Sequence, residues 1–275
     1  MTHKELESLT GKLVNIRNLI LGGKFNMVYF NQAVHREKVD TFGKVKLSEN
    51  LKIQASWWLA ALHCMDIDNH ICHPSMGYPA GVREVWSDAA GGTTTHMGAG
   101  LGIISEKGAW TYLPWPTWLN YGGCNSAGVR FSNKLSCLEM LGPLAAMCVM
   151  KNEAYSESLV VFVDNQGAVD IHRKGGSTRC IYTSIVAKAC FDLSQVMCCN
   201  LIVRKIRRCS DADSYIADMI SKGNLQAFRK MMPERRRFTQ LPRALVDWIK
   251  DPSEDLDLGI KIAEEMKITM PDLVV

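Results

Sequence analysis

The run Leu159 to Val163, L-V-V-F-V, is apolar at every position and stops abruptly at Asp164 and Asn165. Continuous apolarity, without the alternation of a half-exposed strand, describes a strand buried on both faces. A sheet is buried in that way when helices cover it. An α/β fold is therefore expected. Three further strands precede this run, at Val82 to Trp86, Gly98 to Ile104 and Trp110 to Leu113, joined by glycine-rich turns that suit antiparallel neighbours. A last strand is expected at Leu201 to Ile206, and helices at Leu135 to Met150, Gln166 to Arg173 and Thr183 to Met197. This order describes a mixed five-stranded sheet flanked by helices.

The rest of the chain divides around that sheet. Residues 1–75 are predicted to be helical: Leu6, Leu9, Leu13 and Ile16 recur at helical spacing, and Leu51, Ala55, Trp58, Leu59 and Leu62 repeat the pattern after a cap at Ser48. The stretch His70 to Gly81, with Pro74, Gly77, Pro79 and Gly81, has the composition of a linker. It opens a sheet domain spanning 76–224, and 225–275 form a C-terminal helical extension that is basic first and acidic later. His63, Cys64, His70, Cys72 and His73 are zinc-ligand types, but their spacing matches no paired C-x-x-C and H-x-x-x-H pattern, so they are assigned to the linker. The ten cysteines have no repeated spacing and are expected as reduced, buried thiols. No basic start precedes an apolar stretch, and no run of about 18 apolar residues occurs. These features predict an intracellular protein, cytoplasmic or nuclear, with no membrane partner.

Four acidic residues stand at the ends or openings of these elements. Asp88 closes V-R-E-V-W-S-D, Glu139 sits in L-S-C-L-E-M-L, Asp164 closes L-V-V-F-V-D-N, and Asp218 lies in A-D-M-I-S-K-G before a helix-ending Gly223. Carboxylates so far apart in sequence converge only if the strands lie side by side with the helices packed on them. Once gathered, they repel one another and couple their titrations unless cations neutralise them. Magnesium or manganese, with a preference for oxygen ligands, suits such a set. Two such ions about 4 Å apart can drive in-line phosphodiester hydrolysis. The net charge is only +4, so a nucleic-acid partner is argued from local clusters: Arg204, Lys205, Arg207 and Arg208, and then Arg229, Lys230, Arg235, Arg236 and Arg237.

V-W-S-D-A-A-G-G followed by G-A-G-L-G, then L-E-M-L, V-F-V-D-N-Q-G-A-V and I-A-D-M-I-S-K-G, in this order, resemble the ribonuclease H domain of retroelement reverse transcriptases, of the tyrosine-recombinase or long-terminal-repeat type. L-E-S-L-T-G-K-L and L-S-E-N-L-K-I-Q-A-S-W-W-L resemble the thumb and connection regions that precede such a domain, and L-P-R-A-L-V-D-W-I-K-D-P resembles the segment that follows it. The resemblance implies a ribonuclease H-like sheet and an endonuclease acting on the RNA strand of RNA/DNA hybrids with two magnesium or manganese ions. Asp88 would bridge both ions, Glu139 and Asp164 would share the one nearer the leaving oxygen, and Asp218 would hold the one nearer the attacking water. Ser87 and Gln166 would contact the substrate near the ions, and Asn165 either hydrogen-bonds a substrate sugar or simply finishes the strand, the structural role being favoured; Arg173 and Lys174 would meet backbone phosphates. Thr93, Thr94 and Thr95, beside His96, are read as an exposed turn.

The chain departs from the family pattern in two ways. Family members commonly carry a histidine shortly before the last aspartate. Here R-K-I-R-R-C-S-D-A-D-S-Y-I has none, and Ser214 stands where an asparagine is common. Asp211 and Asp213 are alternatives to Asp218, although Ser210 with Asp213 also resembles a helix-capping pair. Slow cleavage is expected. No Y-x-D-D-like pair occurs in an apolar hairpin, so polymerase activity is not expected and an upstream polymerase region is a candidate partner. The reading from a second class is a non-catalytic remnant that binds nucleic acid or protein. Glycines 98, 100 and 102 do not make a dinucleotide loop, because strand residues follow where a helix is required. The chain also has no G-x-S-x-G elbow for a serine hydrolase. Trp110, Trp115 and Trp118 are expected to cover the sheet.

Overall fold

A computed structural model describes residues 1–20, 22–36, 43–68, 81–91, 99–120, 134–155, 157–177, 180–231 and 237–268. The chain is α/β, with a five-stranded mixed sheet flanked by helices and preceded by a helical region. The strands are β1 (Val82–Ala89), β2 (Gly100–Ser105), β3 (Trp110–Pro114), β4 (Ser158–Val163) and β5 (Asn200–Lys205), and their order across the sheet is β3-β2-β1-β4-β5. The pairs β1–β2 and β2–β3 are antiparallel, and β1–β4 and β4–β5 are parallel. Five of the six residues of β4 are buried, as its apolar run demands, whereas Arg204 and Lys205 on the edge strand β5 are exposed.

The helices are α1 (His3–Ile16), α2 (Val28–Arg36), α3 (Glu49–Asp68), α4 (Thr117–Asn120), α5 (Lys134–Glu139), α6 (Leu141–Val149), α7 (Gln166–Lys174), α8 (Ile181–Val196), α9 (Ala212–Ser221), α10 (Leu225–Met231), α11 (Arg243–Lys250) and α12 (Leu258–Glu265). In the N-terminal region, Leu6, Leu13, Met27, Phe30, Leu51 and Trp58 form a core of their own. Ser48 caps α3 through its Oγ, which accepts from the Leu51 amide at 3.3 Å, as the sequence indicated. Phe25 leaves this core to stack on Phe191 of α8, with ring centroids 4.7 Å apart. The C-terminal helices pack inward. Leu245, Trp248, Ile249, Leu258 and Ile262 belong to the same core as Leu159, Val161 and the helix α8.

Two expected elements differ in detail. The helix expected over Leu135 to Met150 is broken between Glu139 and Leu141 into α5 and α6. Pro143 supplies the reason: it has no amide hydrogen to give the Glu139 carbonyl four residues earlier, so the ladder is interrupted just after Glu139. The first strand runs on to Ala89, so Asp88 lies within β1 and is paired with Gly102 of β2. Among the tryptophans, Trp115 donates from Nε1 to the Ala90 carbonyl at 2.8 Å, and Trp110 is buried edge-on against Phe228 and Phe238. Cys137 Sγ lies 3.7 Å from Cys180 Sγ, and of the described cysteines all except Cys198 and Cys209 are buried. The side chain of Cys64, together with His70, Cys72, His73, Thr93, Thr94, Thr95, His96, Arg235 and Arg236, lies outside the described residues. Among those described, no helix is long and apolar enough to cross a membrane.

Candidate metal centre

Parallel register brings the first two carboxylates together. Trp86 of β1 pairs with Phe162 of β4, their rings stacked at 5.4 Å, and two residues further on the same register sets Asp88 beside Asp164. The third carboxylate arrives from one face of the sheet and the fourth from the other, and a glycine permits the approach on each side. On the first face a Cβ at Gly142 of α6 would sit 2.0 Å from Ser87 Oγ. Only glycine lets α6 lie this close to β1, and α5, immediately before it, carries Glu139 onto the strand ends. On the second face a Cβ at Gly102 would meet the Ala217 carbonyl and the Ser221 amide, both at 2.6 Å. This glycine is the partner of Asp88 in the sheet, so α9 lies directly over the pair and carries Asp218 and Ser221 with it.

The structure unites Asp88, Glu139 and Asp164. Each offers a carboxylate oxygen, and the three lie within 4.8 Å of one another. Ligands on opposite sides of a single cation, at roughly 2.0–2.6 Å each, span such a distance. Glu139 is 1% exposed. Its Oε1 accepts from the Ala89 amide at 3.3 Å, while its Oε2 is buried with no hydrogen-bond partner among the described residues. An orphaned carboxylate oxygen aimed among two other carboxylates fits a hard cation. The electrostatics agree. Burial, with Asp88 and Asp164 alongside, holds the Glu139 carboxyl well above the usual carboxylate range. Asp88 is pushed up to about 6, first by burial and then by Asp164 and Asp218, against the lowering effect of a hydrogen bond from Ser221 Oγ.

Asp218 differs from the other three. Arg208 donates to its Oδ1 from Nε at 3.0 Å and from Nη2 at 2.5 Å, and Lys222 Nζ reaches its Oδ2 at 2.6 Å. Burial would raise this carboxyl, but the Lys222 and Arg208 bonds outweigh burial and bring it below its ordinary value. Arg208 also lies 3.7 Å from Asp164 Oδ2, which ties the two halves together. Of the alternatives, Asp211 is the N-cap of α9 in a reciprocal pair with Ser214, so the capping pair is Asp211 with Ser214 and not Ser210 with Asp213. Asp218 is among the charges that raise Asp88.

The chain matches no family model, no curated protein and no solved structure.

The residues expected to touch a substrate are placed variously. Ser87 is buried, its Oγ against Gly142. Asn165 caps α7, its Oδ1 accepting from the Ala168 amide and from Ser136 Oγ, both at 3.2 Å. Gln166 sits at the start of α7, where its amide donates to Asp170 at 3.2 Å. Arg173, exposed and 3.4 Å from Asp170, and Lys174 lie at the other end of that helix, about 10 Å further along. Sequence reasoning missed Arg208, Ser221 and Lys222 as parts of the site. Arg208 belongs to a basic run in the sequence, and S-K-G reads there only as the end of a helix. The spacing from Asp218 to Lys222, one helical turn, was the available signal.

Proposed function

We propose that this chain is a metal-dependent endonuclease that hydrolyses the RNA strand of RNA/DNA hybrids, derived from a retroelement reverse transcriptase of the kind its motifs resemble. The observation that carries the reading is the convergence of Asp88, Glu139 and Asp164 around a buried, unpartnered Glu139 Oε2. Magnesium or manganese bound by these carboxylates would polarise the scissile phosphate and lower the pKa of a nearby water. The side chains of the fold prepare that site. Ser221 fixes Asp88, the Ala89 amide fixes one oxygen of Glu139, and the register of β1 with β4 fixes Asp164.

Duplex backbone would be met by charge beside the cage. Arg204, Lys205 and Arg207 are exposed at the end of β5 and just after it, while Arg173 and Lys174 stand at the far end of α7, about 10 Å further along. Such contacts make binding strongly dependent on salt. The 2′-hydroxyls that mark the RNA strand lie in a wide, shallow groove, within reach of Gln166 at the α7 start. A polymerase region upstream in the same polyprotein is the partner proposed with this reading.

One observation favours the second reading, a binding remnant without catalysis. Both oxygens of Asp218 are already neutralised by Arg208 and Lys222. Incubation of an end-labelled RNA/DNA hybrid with wild type, Asp88→Asn and Asp164→Asn, in magnesium and in manganese, separates the two. Metal-dependent cutting of the RNA strand alone, lost in both variants, is the expected result. Retained hybrid binding with no cutting by wild type would overturn the nuclease in favour of the remnant.

A further inference from the structure

The four carboxylates of the site are not equivalent in charge environment. Among the described residues Asp88 and Glu139 have no cationic side chain within ion-pair distance, and no donor reaches Oε2 of Glu139. Asp218 has both oxygens taken, one by Arg208 and one by Lys222. Arg208 stands between Asp218 and Asp164, at 2.5 Å from the first and 3.7 Å from the second. That is where an ion shared with Asp218 would have to bind.

We propose that Arg208, supported by Lys222, is the resident cation of this half of the site, so that the protein takes one divalent ion, in the Asp88, Glu139 and Asp164 cage, and not two. The inference rests on the reading that these carboxylates bind divalent cations. Charge supports it: four carboxylates against Arg208 and Lys222 leave a formal charge of −2, which one divalent ion balances and two would overshoot to +2. A guanidinium cannot be deprotonated to make room, and a second ion would also have to replace three hydrogen bonds to Asp218. Arg208 thus acts as a positioning residue. It holds Asp218 and Asp164 at the spacing that an ion would otherwise enforce.

The side chain of Arg208 is 56% exposed, so its removal leaves the core intact. Manganese binding followed by electron paramagnetic resonance tests the proposal, on the free protein and on its complex with a duplex of 2′-O-methyl RNA and DNA. Wild type is expected to bind one Mn2+ with an uncoupled spectrum. Arg208→Ala and Arg208→Gln are expected to bind two, with the spin coupling of ions about 4 Å apart. Arg208→Lys, which keeps the charge, should stay at one. A coupled pair in wild type, or a single ion in both charge-removing variants, would overturn the proposal while leaving the nuclease reading intact. No manganese bound by wild type would bring down the metal reading and this inference with it.

Discussion

The two sides of the strand pair β1–β4 deliver their carboxylates by opposite strategies. From the α5–α6 side comes Glu139, almost wholly buried and uncompensated, with a raised pKa. From the α9 side comes Asp218, paired with two cations and held below its ordinary pKa. The fold thus makes one half of the site unfavourable when empty and the other half complete as it stands. Burying charge without a partner costs several kcal/mol, so a bound cation would lower the energy of the first half more than that of the second.

The comparison is broken most severely by chemistry. Asp164→Asn and Asp88→Asn are expected to reduce cleavage of an RNA/DNA hybrid by more than the roughly 100-fold that even an outer-shell partner of a metal costs. Asp218→Asn, which removes a carboxylate already neutralised, is expected to cost about tenfold. Equal losses for Asp164→Asn and Asp218→Asn in single-turnover rates would mean that the two halves work alike.

Acidity provides the next test. Asp88 moves from an ordinary 3.8 to about 6 in the fold. Because the folded chain holds its proton more tightly, the stability contributed by protonated Asp88 is fully present below pH 3.8 and is lost as pH rises through about 6. At 1.36 kcal/mol per unit, this is on the order of 2–3 kcal/mol. Urea denaturation in a chelator should therefore show wild type losing stability relative to Asp88→Asn between pH 4 and pH 7, and magnesium at pH 7 should recover it. A constant difference between the two proteins across that range would contradict the raised pKa.

Packing on the two faces should differ as well. Gly102→Ala drives a methyl into α9 backbone and is expected to cost about 1–3 kcal/mol, with no rescue from a neighbouring side chain. At Gly142 the obstacle is the Ser87 side chain, its Oγ and its Cβ, so Gly142→Ala should cost a similar amount alone and recover part of it when combined with Ser87→Ala. Chemical denaturation of the three variants reads this directly. Absence of rescue in the double variant would show that the backbone, and not Ser87, limits the approach of α6.

The smallest effect belongs to Ser221→Ala. Loss of its bond to Asp88 should cost about 1 kcal/mol and raise the Asp88 pKa further, moving the acid limb of metal binding to higher pH. An unshifted limb would show that Ser221 does not hold Asp88.

Much of the frame could be read from the chain alone. The unbroken apolarity of Leu159 to Val163 required a strand covered on both faces, and its sharp stop at Asp164 marked the strand end where a carboxylate would emerge. The break within the helix expected over Leu135 to Met150 was also written in the sequence, as Pro143, although local periodicity concealed it. Local pattern could give Asp88, Glu139 and Asp164 as candidates because each is tied to its own element. Long-range geometry decided the rest. No local signal says that Gly102 faces α9, that Gly142 lies on Ser87, or that Arg208 leaves a basic run to join Asp218. Those facts depend on which strands pair and in what register, and a side chain 10 residues away along the chain becomes a neighbour only once the sheet has placed it there. The sequence determined which charges the site contains. Only the tertiary structure decided which of them are already balanced, because balance is a matter of distance and burial.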